Sequence, residues 1–213
     1  MRIVLTQYPK LALTLSETVS GSTIAQLQDT KIDLALAYNP VKDARINVMP
    51  LTEERMVCVG QKSVIGDTTE PITVDELLKL PFILLRKGVT GRSIMDNPAL
   101  QKRYEEHAYL KTDNVNAVGL FLSEGLGCAI STKAYMREQP ASAELTWRNI
   151  VEPDILRTLY LCEHADKPPS RAVAVIKRTV SQLIQQALHE GRWEYERILC
   201  DELQPPASPD SGS

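Results

Sequence analysis

Short apolar runs with strand patterning alternate with amphipathic segments along most of this chain, and that alternation places it in the α/β class, where helices pack on sheets. Leu11-Ala12-Leu13-Thr14-Leu15-Ser16 alternates between Pro9 and Ser20-Gly21 and reads as a strand. Ser20 to Thr30 sets Ile24 and Leu27 three apart behind a hydroxyl-rich start able to cap a helix. Asp33 to Tyr38 is nearly continuous in apolar residues up to Asn39-Pro40, the pattern of a strand covered on both faces in a parallel sheet. Residues 11–38 therefore predict a right-handed βαβ unit.

The pattern recurs downstream. Strands are predicted over Met56–Gly60, Pro81–Leu85, Gly127–Ser131 and Arg157–Cys162. Helices are predicted over Thr73–Leu80, where Thr73 and Glu76 have capping-box spacing, and over Thr90 to about Glu106 and Asn114–Glu124. From Ser170, the residues Val173, Ile176, Val180, Ile184 and Leu188 step by three or four and predict a long amphipathic helix ending near Gly191. The charged stretch Arg192–Glu202 reads as a solvated helical extension, and residues 204–213, rich in Pro, Ser and Gly, as a disordered tail.

Composition narrows the function. The chain has 213 residues, 24 Lys+Arg against 27 Asp+Glu for a net charge of −3, and is 43% hydrophobic. That is enough chain for one large domain or two modest lobes, and the balance lacks the concentrated basic face of a nucleic-acid-binding module. Three of the four cysteines, Cys58, Cys128, Cys162 and Cys200, lie in apolar runs, as buried reduced thiols do, and no CxxC pair or clustered histidine suggests a metal site. The absence of a membrane-length apolar stretch and of a secretory leader points to the cytoplasm.

Catalytic motifs such as GxSxG, GxxxxGK[ST] and HExxH are missing, and no cofactor is implied. Gly125 and Gly127 lack the third glycine of a dinucleotide fingerprint and precede a strand, so they read as a helix cap and tight turn. Two hydroxyl-rich helix starts are more informative. Ser20-Gly21-Ser22-Thr23 and Gly88-Val89-Thr90-Gly91-Arg92-Ser93 combine tight-turning small residues with N–H groups and hydroxyls at positive helix ends, an arrangement that binds anions. Arg86, Lys87 and Arg92 add charge beside the second. Plain N-capping accounts for the same residues without a ligand.

The order and spacing of Tyr8 to Glu17, Leu27 to Leu36, Pro50 to Val59, Thr73-Val74-Asp75-Glu76-Leu77 with Leu80 to Leu84, and Val118 to Ile130 resembles the effector-binding region of LysR-type transcriptional regulators, from about Tyr8 to Leu188. The resemblance implies two Rossmann-like lobes, similar to type 2 periplasmic binding proteins, joined by two crossing hinge strands. It places those crossings near Val57–Val59 and Tyr160–Cys162, with Cys58 and Cys162 on neighbouring strands. Lobe I is then 1–58 plus 161–190 and lobe II 59–160, followed by an extension over 191–203. The implied ligand is a small anionic effector, carboxylate or sulfate-like, held by Ser20, Ser22 and Thr23 with Arg86, Gly88, Thr90 and Arg92. Thr90 is the foremost of these, because the Thr-Gly-Arg-Ser run resembles the sulfur-assimilation branch.

Two departures stand out: Thr30 sits where the family has Gly, and the family's first strand with most of its helix falls upstream of Arg2. The family further implies pairing of effector domains into a homodimer, a tetramer in the intact regulator, and DNA reading only through a winged helix-turn-helix outside these residues. A stand-alone solute-binding protein, or an enzyme such as a prephenate-dehydratase-like or deaminase-like catalyst on the same scaffold, are the competing readings. The absent leader weighs against the first and the absent catalytic constellation against the second.

Overall fold

A computed structural model describes residues 2–16, 20–85, 97–139 and 143–203. The chain opens with α1 (Arg2–Gln7) and continues through α2 (Ser20–Gln28), β1 (Leu34–Tyr38), β2 (Ile46–Arg55) and β3 (Val57–Gln61). Next come α3 (Lys62–Ile65), β4 (Ile72–Thr73), α4 (Val74–Leu77) and β5 (Ile83–Leu85). The remainder is α5 (Pro98–His107), β6 (Leu110–Thr112), α6 (Val115–Ser123), β7 (Cys128–Ser131), α7 (Lys133–Arg137), β8 (Leu145–Val151), β9 (Leu156–His164), α8 (Arg171–His189), β10 (Arg197–Ile198) and a 3-10 turn, Asp201–Leu203.

Local chemistry sets these boundaries. Thr73 and Glu76 form the expected capping box on α4, Asn114 caps α6 through the N–H groups of Asn116 and Ala117, and Ser170 caps α8 through that of Val173. Beyond α6, Gly125 adopts φ 67°, and a Cβ on Gly127 would lie 2.2 Å from the Pro81 carbonyl oxygen. Both glycines thus serve the helix end and tight turn that their spacing predicts.

Two sheets organise the molecule. The first, in the order β1-β9-β2-β10, is antiparallel throughout. The second, β4-β8-β3-β7, is mixed, and the parallel pair β5-β6 joins it through a bridge from Phe82 to Cys128. Helix α8 lays Ile184 and Leu188 against Leu51, Leu159 and Leu161 on one face of the first sheet, and α2 packs Ile24 and Leu27 against Ala35, Ala37 and Cys162 on the other. The second sheet is likewise covered twice: Cys58, Val74, Leu77, Phe82 and Tyr104 fill one side, and Val57, Val59, Val118, Leu122 and Ala129 the other. Covered sheets built from strands and helices in alternation are what the patterning requires.

Several expectations change. Leu11–Ser16 joins no ladder among the described residues, and Leu15 is 75% exposed. Alternation marks a segment that can pair, but a strand exists only where a neighbour takes its backbone hydrogen bonds, so the βαβ unit over 11–38 is not formed. β1 runs antiparallel to β9 as the outer strand of its sheet, with Leu36 44% exposed, instead of lying inside a parallel sheet. The stretch after Gly191 is not a helix; it turns back, pairs with β2 as β10 and buries Cys200 and Leu203 beside Leu51.

The polar strands β2 and β8 carry no strong apolar signal. In β2, Pro50 sits where the pairing register with β9 shifts, a place in which its missing N–H costs little. The chain passes between sheets at Met56, next to Val57–Val59, and again over residues 152–155, ahead of Tyr160–Cys162. The two passages meet where the Met56 N–H donates to the Ile155 carbonyl at 2.8 Å. Because β9 belongs wholly to the first sheet, Cys58 and Cys162 lie in different sheets and different core clusters, each buried.

Thr30, which ends the α2 turn, has φ 56°, in the left-handed region where a β-branched side chain is strained and glycine is favoured. The glycine that the family resemblance implies at this position thus has a conformational reason. Thr30→Gly is expected to raise stability by about 0.5–1 kcal/mol, the relief of strain less the extra freedom of glycine in the unfolded chain. An unchanged urea midpoint would show that Thr30 carries no net strain.

Candidate functional site

The sheets approach each other around the two passages, leaving a cleft whose walls are Glu54, Arg55 and residues 193–196 from the first sheet's side and Thr132, Lys133 and Asn149 from the second's. Glu54 is the central charge. Its side chain is 4% exposed, and it accepts from Tyr38 Oη at 2.9 Å, Trp193 Nε1 at 2.5 Å and Arg157 Nε at 2.9 Å. Arg157 closes the pair through its second nitrogen at 2.8 Å and stacks 3.6 Å from the centroid of the Tyr38 ring. Burial pushes the Tyr38 phenol well above its usual range, the positive charge of Arg157 opposing this only in part, so the hydroxyl remains a neutral donor to Glu54. Four side chains from β1, β2, β9 and the C-terminal segment are locked together at the end of the sheet that faces the second.

Around that anchor lie exposed ion pairs. Arg55 holds Glu196 at 2.6 Å and Asp154 at 2.6 Å, Lys133 holds Glu194 at 3.1 Å, and Arg137 also pairs with Glu194. The hydrogen bond from Arg55 keeps the Glu196 carboxyl below its ordinary value. For Glu194, burial acts upward, but the bonds from Lys133 and Arg137 outweigh it and the carboxyl is lowered.

Of the residues predicted to bind an effector, Ser20 opens α2, its side chain lying outside the described ones. Ser22 is exposed on the first turn of that helix and accepts from Gln26 Nε2 at 3.4 Å, while Thr23 beside it is half-buried. Among the described residues no strand precedes this helix start. Arg86, Gly88, Thr90 and Arg92 follow β5 and lie outside the described residues. Sequence reasoning missed the Glu54 cluster. Its only signal is a tyrosine before Asn39-Pro40, a glutamate in a polar run, a lone arginine and a late tryptophan, which nothing but the sheet register brings together.

The arrangement offers hydrogen-bonding and charged groups at a junction between two sheets. Among the described residues, no group of three or more His, Cys, Asp or Glu could hold a metal ion, and all four cysteines are buried. No helix of the described residues is long and apolar enough to cross a membrane.

Two helix-covered sheets, linked by two chain passages and enclosing a cleft, define a two-lobed ligand-binding fold of the type 2 periplasmic-binding-protein kind. The regulatory domain of Synechocystis CcmR in complex with 2-PG shares this fold at TM-score 0.71 and 18% identity, over 85% of this chain and 88% of that one. The effector-binding domain of QuiR in complex with shikimate matches at TM-score 0.64 and 18% identity, covering 83% and 86%. Residues 1–185 match the LysR substrate binding domain, and the chain belongs to that family.

Among curated relatives, the HTH-type transcriptional regulator BbuR of Bordetella bronchiseptica is 20% identical over 191 residues, covering 90% of this chain and 59% of that protein. The uncharacterized HTH-type transcriptional regulator YeiE of Escherichia coli K12 is 25% identical over 167 residues, covering 78% and 56%. The chain thus spans less than two thirds of the length of either relative.

Removing the Glu54 carboxylate leaves the half-buried Arg157 without its partner. Glu54→Ala should lower unfolding stability by about 3–5 kcal/mol, and Glu54→Gln by less, because an amide oxygen still accepts from Trp193 and Tyr38. Chemical denaturation followed by tryptophan fluorescence checks both, and equal midpoints for Glu54→Ala and the parent would contradict the assigned role.

Proposed function

We propose that this chain is the effector-sensing portion of a LysR-type transcriptional regulator and works by binding, not by catalysis. The observation that carries the reading is the match of residues 1–185 to the LysR substrate binding domain on a chain with two sheets around a cleft. The effector is a small anion, carboxylate or sulfate-like, taken between the start of α2, with Ser20, Ser22 and Thr23, and the residues after β5, with Arg86, Gly88, Thr90 and Arg92. Hydroxyls and N–H groups at a helix start stabilise negative charge, and the two arginines add charge-assisted bonds. The sheet change-overs support a first lobe of about 1–55 plus 156–203 and a second of 57–151, in place of a boundary inside β9.

Effector binding shifts the population of lobe and subunit arrangements by its differential affinity for them. The signal passes to DNA through a winged helix-turn-helix in the intact regulator, which works in the cytoplasm as a tetramer assembled from effector-domain homodimers. The relatives named as transcriptional regulators and the effector-bound regulatory domains support this assignment.

A thermal-shift screen of sulfate, thiosulfate, sulfonates, dicarboxylates, shikimate and aromatic acids tests the reading. A ligand at 100 times its dissociation constant adds about 2.7 kcal/mol of stability. Thr90→Ala and Ser22→Ala should each weaken the best ligand by about tenfold, the loss of one hydrogen bond to an anion. Unchanged affinity in both variants would remove the anion site from these segments.

A further inference from the structure

Two covalent passages, at Met56 and over residues 152–155, connect the sheets, and a third connection is made without a covalent bond. After α8 ends, Gly191 adopts φ 66° and turns the chain back toward the hinge. From there residues 193–198 are fixed to the first sheet at several points. The Trp193 indole donates to Glu54 at 2.5 Å, the Glu196 N–H donates to the Glu53 carbonyl at 2.7 Å, and Arg197 and Ile198 pair with Glu53 and Thr52. The Arg197 guanidinium adds two bonds to the Glu53 carboxylate at 3.0 and 3.1 Å.

One side chain of this segment points the other way. Glu194 receives Lys133 Nζ at 3.1 Å and Arg137, both from α7, which packs with the second sheet. Lys133 is in turn held 5.2 Å over the Trp147 ring of β8, so the cation belongs firmly to the second lobe. Arg55, next to the Met56 passage, is clasped between Glu196 of the segment and Asp154 of the second passage.

We propose that residues 193–198 form an interlobe strap, anchored on the first lobe by β10 and Trp193 and fastened to the second by Glu194 on Lys133 and Arg137, so that separation of the lobes requires this fastening to break. It acts as a conformational restraint beside the cleft. The strap sets the balance between close and separated lobes whichever small molecule binds, so its test needs no effector. Each ion pair is partly exposed and individually weak, which suits a fastening that must open.

The test uses the full chain with paired spin labels on Lys31→Cys and Lys102→Cys, exposed positions on the first and second lobes, the four native cysteines being buried. Electron–electron distance measurements on this parent should give one narrow distribution. Glu194→Gln should increase the long-distance fraction by about threefold to tenfold, the range that two surface ion pairs supply. The same increase should appear in the parent at about 1 M salt, where exposed pairs are screened, and salt should change Glu194→Gln less than it changes the parent.

Reversing the charges, with Glu194→Lys combined with Lys133→Glu and Arg137→Glu, should restore the narrow distribution. A Glu194→Gln distribution that superimposes on the parent overturns the strap, and so does a broadened one that the charge reversal fails to narrow. Glu194 lies on the surface at the cleft, and near-ultraviolet circular dichroism matching the parent's confirms that the variant is folded.

Discussion

The hydrogen bonding of β9 on both its edges is the constraint from which the rest of the molecule follows. Leu156 to His164 pairs with β1 along Leu34–Tyr38 and with β2 along most of Ile46–Arg55, so one strand near the end of the chain fastens two from its beginning. The register sets Leu159 and Leu161 under α8 and Cys162 under α2, giving each helix its apolar floor. It also sets Arg157 opposite Glu54 and within reach of Tyr38, which closes the buried charge cluster. Where β9 begins, its approach meets Met56, and both passages to the second lobe leave from that point.

The junction therefore combines two kinds of interaction with different tolerances. Glu54 itself is almost wholly removed from water, and its charge is stable only while Arg157 remains beside it. The ion pairs of Arg55, Lys133, Arg137 and Glu194 are exposed and screened, so they can break and reform at modest cost. A rigid anchor on one lobe beside weak contacts to the other suits the change in lobe arrangement proposed above.

The parts of the fold legible in the sequence were those carried by local rules. The capping box at Thr73 and Glu76, the helix beginning at Asn114, the long amphipathic α8 and the glycine ends at Gly125 and Gly191 depend on neighbours a few residues away. Strand pairing does not. Leu11–Ser16 has the alternation of a strand without a ladder, whereas β2 and β8 form ladders although their patterns are polar. Helix-start chemistry and the family resemblance point to the anion-site residues, and the structure describes Ser22 and Thr23 at such a start. Among the described residues Arg55 lines the cleft and Arg157 pairs with Glu54 beside it, because register and not spacing decides which distant charges meet.

The sequence by itself determined the α/β class, most helices with their ends, the buried thiols and the family pattern, since each rests on periodicity or on contacts over a few residues. Only the tertiary structure decided that β1 is an outer antiparallel strand, that the chain changes sheets at Met56 and 152–155, and that the segment after α8 pairs with β2 beside the cleft instead of forming a helical tail. Those outcomes depend on backbone groups finding partners about a hundred residues away or more, and no local pattern records which partner wins.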